Sequence, residues 1–210
     1  MRIEANDICL TEDFIDFDND GTTLLSRTVD RLMRIFVKEN IIVSTNLDYY
    51  ETVCKQLPYL DPQQILREPV MKGTAPSLVM TAFHIRDINP NANVMVVPSD
   101  IVVSEEADFD AMIEQGMSFV DKNPGLLTIG IKPTHPETRF GYIQADDEML
   151  DGMYKVRTFT EKPEEHFARI FVESGEFYWN SGIYIWNVQA IIDTMSKCLP
   201  DMMSTLESIY

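Results

Sequence analysis

The chain has 210 residues, 45% hydrophobic and 10% aromatic, a composition that can bury a sizeable α/β core. Its formal charge is −17, from 34 acidic against 17 basic residues with no basic run, which excludes nucleic acid as a partner. No apolar stretch approaches the roughly 20 residues of a membrane span and Met1-Arg2-Ile3-Glu4 does not open a signal peptide, so a cytoplasmic protein with no membrane partner is expected.

Cys9, Cys54 and Cys198 share no CxxC spacing and read as buried thiols in a reducing compartment. Helical periodicity first appears over Leu24–Phe36, followed by a β-rich run at Ile41–Thr45. Ile65-Leu66-Arg67-Glu68-Pro69 and then Lys72-Gly73-Thr74-Ala75-Pro76 predict a strand, a loop and a helix over Thr74–Ile88. Guanine presents adjacent N–H donors that one carboxylate can accept, and Glu68 stands at a strand end. Thr74 and the helix start offer a hydroxyl and free N–H groups to phosphate or base. An ordinary capped helix with Glu68 in solvent fits the same residues.

The run Val94–Val97 and the later Leu126–Ile129 are uninterrupted, as suits strands buried on both faces in parallel sheets. Pro98-Ser99-Asp100 ends the first of them. Ligands bind beyond the carboxyl ends of such strands, where an aspartate can hold a divalent cation; a turn aspartate reads identically. Between the two runs, Ala107–Val120 predicts a helix with Phe109, Met112, Ile113, Gly116 and Val120 on its core face.

After Lys132 the pattern changes. Pro133 and Pro136 mark a loop, and Arg139-Phe140-Gly141-Tyr142 leads into a strand, with a glycine that permits either a turn or close approach of a ligand. Strands over Tyr142–Ala145, Tyr154–Thr160 and Tyr178–Trp186 are expected to be antiparallel or mixed, with a helix over Glu164–Glu173 started by Pro163. Glu161-Lys162 closes one strand and Asn180-Ser181-Gly182 interrupts another. A lysine, a carboxylate and an amide at two strand ends suit a sugar phosphate. A surface ion pair followed by a core strand is the alternative. The three histidines share no ligand spacing, and no serine sits in GxSxG. Residues 1–132 thus read as a nucleotide-binding half and 133–210 as a sugar-phosphate-binding half.

Taken in order, several short motifs resemble the mannose-1-phosphate guanylyltransferases, within the sugar-1-phosphate nucleotidyltransferases. They are Leu24-Leu25 with Thr28-Val29-Asp30-Arg31-Leu32, Glu68-Pro69 with Thr74-Ala75-Pro76, and Pro98-Ser99-Asp100. Gly130-Ile131-Lys132-Pro133, Pro136-Glu137-Thr138, Gly141-Tyr142-Ile143, Phe159-Thr160-Glu161-Lys162-Pro163 and Trp179-Asn180-Ser181-Gly182 complete the series. The similarity runs from about Phe14 to the end. It implies an α/β fold, a Rossmann-like, glycosyltransferase-A-like mixed sheet flanked by helices, here a single partial domain truncated at both ends. It also implies the reaction of GTP with mannose 1-phosphate to give GDP-mannose and pyrophosphate, with Mg²⁺. By motif, Glu68, Pro69, Thr74 and Ser99 would address the nucleotide, and Asp100 the metal and the chemistry. Gly141, Tyr142, Glu161, Asn180 and Ser181 would hold the sugar, with Lys162 on its phosphate as a second catalytic group.

The departures are specific. The family opens with a buried strand and a glycine-rich, arginine-bearing loop, whereas the first glycine here is Gly21. A second metal-binding aspartate is expected beyond Trp179-Asn180-Ser181-Gly182, and Asp193 and Asp201 do not match it. Gly73 stands where asparagine is common, and Ile101 where histidine often follows. A loop donor is worth about 10²–10³ in rate, so impaired or absent turnover is expected of this chain alone. A missing central strand leaves a slot that Arg2–Leu10 is expected to fill; otherwise another chain fills it, giving a homodimer. A non-catalytic sugar-phosphate-binding or regulatory module, or a fragment without independent function, is the alternative.

Overall fold

The computed structural model describes residues 3–5, 8–10, 12–68, 73–123 and 125–209. In chain order the elements are β1 (Ile3–Ala5), β2 (Ile8–Leu10), α1 (Leu24–Leu32), β3 (Val43–Asn46), α2 (Tyr50–Gln56), β4 (Ile65–Glu68), α3 (Thr74–Ile88) and β5 (Asn93–Val96). There follow α4 (Glu106–Lys122), β6 (Leu126–Ile131), β7 (Tyr142–Leu150), β8 (Met153–Thr160), α5 (Glu165–Ser174), β9 (Phe177–Asn187), α6 (Val188–Cys198) and α7 (Pro200–Ile209).

Helix starts follow local chemistry. Thr23 caps α1 in a capping box with Ser26, and the Asn187 side chain accepts the Gln189 N–H at 3.0 Å to start α6. The helix expected to reach Phe36 ends at Leu32 instead. The Arg34 and Ile35 N–H groups bond back three residues, to Arg31 and Leu32, tightening the last turn out of α geometry. Asp193 and Asp201 lie within α6 and α7.

β3 and β4 pair in parallel, Val43 opposite Ile65 through Asn46 opposite Glu68. The α1 and α2 helices cover them, burying Leu25, Val29, Val53 and Leu57 against Ile65 and Phe14. A larger sheet is organised around β9, and here an expectation is corrected. The Val94–Val97 and Leu126–Ile129 runs do not pair in parallel, since β5 and β6 are both antiparallel to β9, one on each edge. Nor are they buried throughout, because Leu126 is about half exposed. Their apolar faces are needed for α4, which packs Phe109, Ile113 and Val120 on Ile129, Ile183 and Ile185. A Cβ on Gly116 would come within 2.7 Å of Ile185 Cδ1, so this glycine lets α4 lie close to the sheet. Met112 leaves the expected core stripe and is exposed, because residues 109, 113, 116 and 120 already complete the i, i+4, i+7, i+11 row.

On the other face, α3, α6 and α7 enclose Trp186 with Val79, Phe83, Val188 and Ile191. Each such fully buried side chain contributes about 1.5–3 kcal/mol relative to exposure. The last third is antiparallel as expected: β7 pairs with β8 and β9, and α5 sits over Tyr142, Phe177 and Trp179 through Ala168.

Two further expectations are corrected. Cys198 is exposed and Cys54 half-buried, both as free thiols, rather than buried; the Cys9 side chain lies outside the described residues. Of Arg2–Leu10, expected in the main sheet, the described residues Ile3–Ala5 and Ile8–Leu10 do not enter it. β1 pairs antiparallel with β2, Ile3 opposite Leu10, the pairing that costs least chain closure. Between β3 and β5 remains a cavity of about 1090 Å³. No helix among the described residues is long and apolar enough to cross a membrane.

Candidate functional site

β9 changes partners along its length. Its carboxyl half lies between β5 and β6, with Trp186 opposite both Val94 and Leu126; its amino half lies between β7 and β6, with Trp179 opposite both Tyr142 and Ile131. β5 therefore ends, and β7 begins, along the same edge of β9, opposite Asn180-Ser181-Gly182. Such a break in strand order opens a crevice at strand ends. Gly182 makes the bend possible: its φ is +75°, and a Cβ there would sit 3.0 Å from Pro98 Cγ. The register against β6 shifts between Thr128 and Gly130 at the same level.

The crevice brings Gly141, Glu161 and Asn180 together. A Cβ built on Gly141 would lie 2.9 Å from Glu161 Oε2 and 3.5 Å from Asn180 Cβ. The Asn180 N–H donates to the Gly141 carbonyl at 2.8 Å, locking β9 to the start of β7. The Asn180 amide is oriented from both ends: Nδ2 donates to the Tyr184 hydroxyl at 2.9 Å, and Oδ1 accepts from the Gly182 N–H at 3.2 Å. One Nδ2 hydrogen remains for a ligand hydroxyl. Lys162 Nζ lies 3.5 Å from Glu161 Oε1, both side chains well exposed, with the Lys162 backbone in the left-handed region at φ 41°.

Two of the expected sugar contacts have other employment. The Tyr142 ring is fully buried under α5, and its hydroxyl accepts the Glu137 N–H at 3.0 Å, so only its backbone borders the crevice. The Ser181 hydroxyl donates to the Ile129 carbonyl at 2.7 Å and accepts from the Ile183 N–H, bridging the bulged stretch of β6 and β9.

Across the crevice, Ser99 donates to Asp13 at 2.7 Å, and its carbonyl accepts from Thr28 at 3.1 Å. Asp100 follows, exposed beyond the carboxyl end of β5. Among the described residues no three His, Cys, Asp or Glu side chains converge as a metal cluster. Mg²⁺ commonly takes only one or two protein carboxylates beside phosphate oxygens and water, a donor set that an exposed Asp100 fits.

Glu68 stands at the end of β4, facing the large cavity. Its Oε1 accepts hydroxyls from Ser44 at 2.8 Å and from Ser77. Thr74 opens α3 after Gly73, whose φ is 92°, and is exposed at the helix N-terminus. Pro69 lies outside the described residues. The supporting residues Ser44, Ser77 and Tyr184 were not singled out from sequence. Tyr184 alone carried a signal, being four residues from Asn180 on one strand and hence on the same face.

The chain matches the Nucleotidyl transferase family model over residues 14–209. It is 32% identical over 196 residues to a mannose-1-phosphate guanylyltransferase of Escherichia coli, covering 90% of this chain and 42% of that protein. It is also 32% identical over 187 residues to the alginate biosynthesis protein AlgA of Pseudomonas syringae pv. tomato, covering 87% of this chain and 38% of the relative. The chain thus spans less than half the length of these relatives. Among solved structures, it superposes with TM-score 0.79 on one described as mannose-1-phosphate geranyltransferase from Thermus thermophilus, at 24% identity, covering 91% of this chain and 55% of the other. A Helicobacter pylori structure described as mannose-6-phosphate isomerase gives TM-score 0.81 at 22% identity, covering 94% and 75%.

Proposed function

The chain belongs to the nucleotidyl transferase family, and from that membership we propose that its crevice binds a GDP-mannose-type nucleotide sugar, with GTP and mannose 1-phosphate as the substrate pair. The observation that carries this reading is the approach of Glu161 to the bare backbone of Gly141 beside the oriented amide of Asn180. A carboxylate, an amide and an open backbone suit the acceptor and donor needs of sugar hydroxyls, and Lys162 adds a cation for the phosphate.

On this reading the sugar phosphate would attack the α-phosphorus of GTP in line, with pyrophosphate leaving, so positioning would carry much of the rate. In this chain Lys162 would hold the attacking phosphate, while Glu161 and Asn180 fix the sugar ring. Glu68 would accept the two guanine N–H donors, with Ser44 and Ser77 orienting its carboxylate, and Thr74 and Ser99 would border the nucleotide. Asp100 would hold Mg²⁺ beside the phosphates, and the ion when bound would offset their charge.

A binding module without catalysis is the second reading. Calorimetric titration with GDP-mannose and Mg²⁺ tests the site: saturable binding, weakened about tenfold or more by Asn180→Ala and by Lys162→Ala, is expected. No binding at millimolar ligand would overturn the proposal. A pyrophosphate-release assay with GTP and mannose 1-phosphate then separates slow enzyme from binding module.

A further inference from the structure

A second cavity, of about 340 Å³, lies between α1 and the segment that runs from Ile101 to the start of α4. Arg27, Arg31 and Arg34 line it, spaced four and three residues apart and so on one side of α1 and the turn after it. Ile101, Val102 and Val103 form an apolar wall opposite. In a chain of charge −17 this lining is an exception, since it carries three guanidinium groups against two carboxylates, Asp30 and Glu106.

Most of these groups have partners. Arg27 donates through Nε to Thr22 and through Nη2 to Asp20, with Asp18 beside it, which leaves Nη1 unused. Arg34 pairs with Glu106 and Asp110, and Asp30 accepts from the Tyr59 hydroxyl at 3.0 Å. Arg31 is different. Its side chain is only 6% exposed, yet neither Nε nor Nη1 has a hydrogen-bond partner among the described residues. Glu106 Oε1 stands 3.8 Å from Nε, close enough for charge attraction but beyond hydrogen-bond reach. The Phe109 ring, 5.9 Å from Cζ, presents a face and no acceptor.

What the cavity lacks, then, is acceptors. An apolar ligand would leave the buried donors unpaired, and a cation would be repelled by three guanidinium groups. A guanidinium presents a planar fork of N–H donors that matches the oxygens of a phosphate. We propose that this cavity is a binding site for a small tetrahedral oxyanion of the phosphate type, separate from the crevice, with Arg31 as its main ligand and Arg27 Nη1 as a second. The site adjoins the segment after Asp100. Thr28, one turn before Arg31, donates to the Ser99 carbonyl at 3.1 Å, and the wall begins at Ile101. A bound anion therefore ties that segment to α1.

The test is calorimetric titration of the 210-residue chain with inorganic phosphate, without Mg²⁺ and at fixed ionic strength. Saturable one-to-one binding is expected, unaltered by Lys162→Ala, which removes the cation of the crevice. Arg31→Met should weaken it about tenfold or more. Val102→Glu adds a carboxylate to the wall at a position that is 79% exposed, and should weaken binding several-fold without disturbing the core. It decides the matter if Arg31→Met does not fold. Hydrogen exchange at the Val102 and Val103 amides should slow as phosphate binds. Undiminished binding in the variants would overturn the proposal. Binding that disappears with Lys162→Ala would place the phosphate in the crevice and overturn it equally. No saturation at millimolar phosphate would also sink it: Arg31 would then find its acceptor within the chain, by turning toward Asp110, whose Oδ1 is likewise buried without a partner.

Discussion

Lys162 holds φ at 41°, a conformation that costs a non-glycine residue about 1–2 kcal/mol. Its contact with Glu161 at 3.5 Å does not offset that cost, since it joins two exposed side chains and such pairs contribute little. On the function proposed above, strain kept at a crevice beside an oriented amide is offset by what the side chain does for a ligand. Lys162→Gly is therefore expected to raise stability by about 1 kcal/mol while GDP-mannose affinity falls. Lys162→Ala should lose affinity without that gain. Thermal unfolding beside calorimetry reads both; a Lys162→Gly protein less stable than the parent would make the lysine structural. Arg31 shows the opposite arrangement: its guanidinium is buried against Phe109, with Nε 3.8 Å from Glu106 Oε1. It holds α1 to the start of α4, while its Nε and Nη1 are buried with no hydrogen-bond partner among the described residues.

At the scale of elements, the switch of β9 from β7 to β5 places the crevice, and Gly182 is its hinge point. Gly182→Ala meets two penalties, a φ of +75° and a Cβ 3.0 Å from Pro98 Cγ. Gly175, at the end of α5, has the same φ with nothing within 4 Å. Urea denaturation should show Gly175→Ala costing about 1 kcal/mol and Gly182→Ala about 1–3 kcal/mol, with the slope unchanged in both. Equal losses would mean that the approach to Pro98 is slack and the bend is held elsewhere.

Over the whole molecule, a charge of −17 makes self-repulsion a standing cost at neutral pH, and protonation of carboxylates relieves it. Glu137 works against that relief. The Arg139 guanidinium hydrogen-bonds its carboxylate, the Arg139 N–H adds a second bond, and together they lower its pKa from 4.5 to about 2. Folding thus favours the ionised form. The stabilisation is complete above pH 4.5 and is lost as pH falls from 4.5 through about 2. Glu137→Gln should be less stable at neutral pH and show a shallower loss of melting temperature across that window. Melting curves that stay parallel between the two proteins would show that the pair contributes nothing to the acid limb.

Much of this was set locally and so could be read from the chain. Thr74–Ile88 forms the expected helix, and the antiparallel last third follows its alternation and turn residues. The series of short motifs pointed to the family to which the chain belongs. Charge, composition and the absence of a basic run are likewise properties of the string. What tertiary structure alone decided was partnership. An apolar run such as Val94–Val97 needs partners but does not say which strand supplies them, and β9 did so, antiparallel and on one edge. The burial of Tyr142 under α5 and the strand-bridging hydroxyl of Ser181 were set by contacts distant in sequence. The same holds for Ser44 and Ser77 on Glu68, since a hydroxyl finds its acceptor only when packing delivers one. Periodicity records which face of a segment is apolar; only the folded chain records what that face, or that edge, is set against.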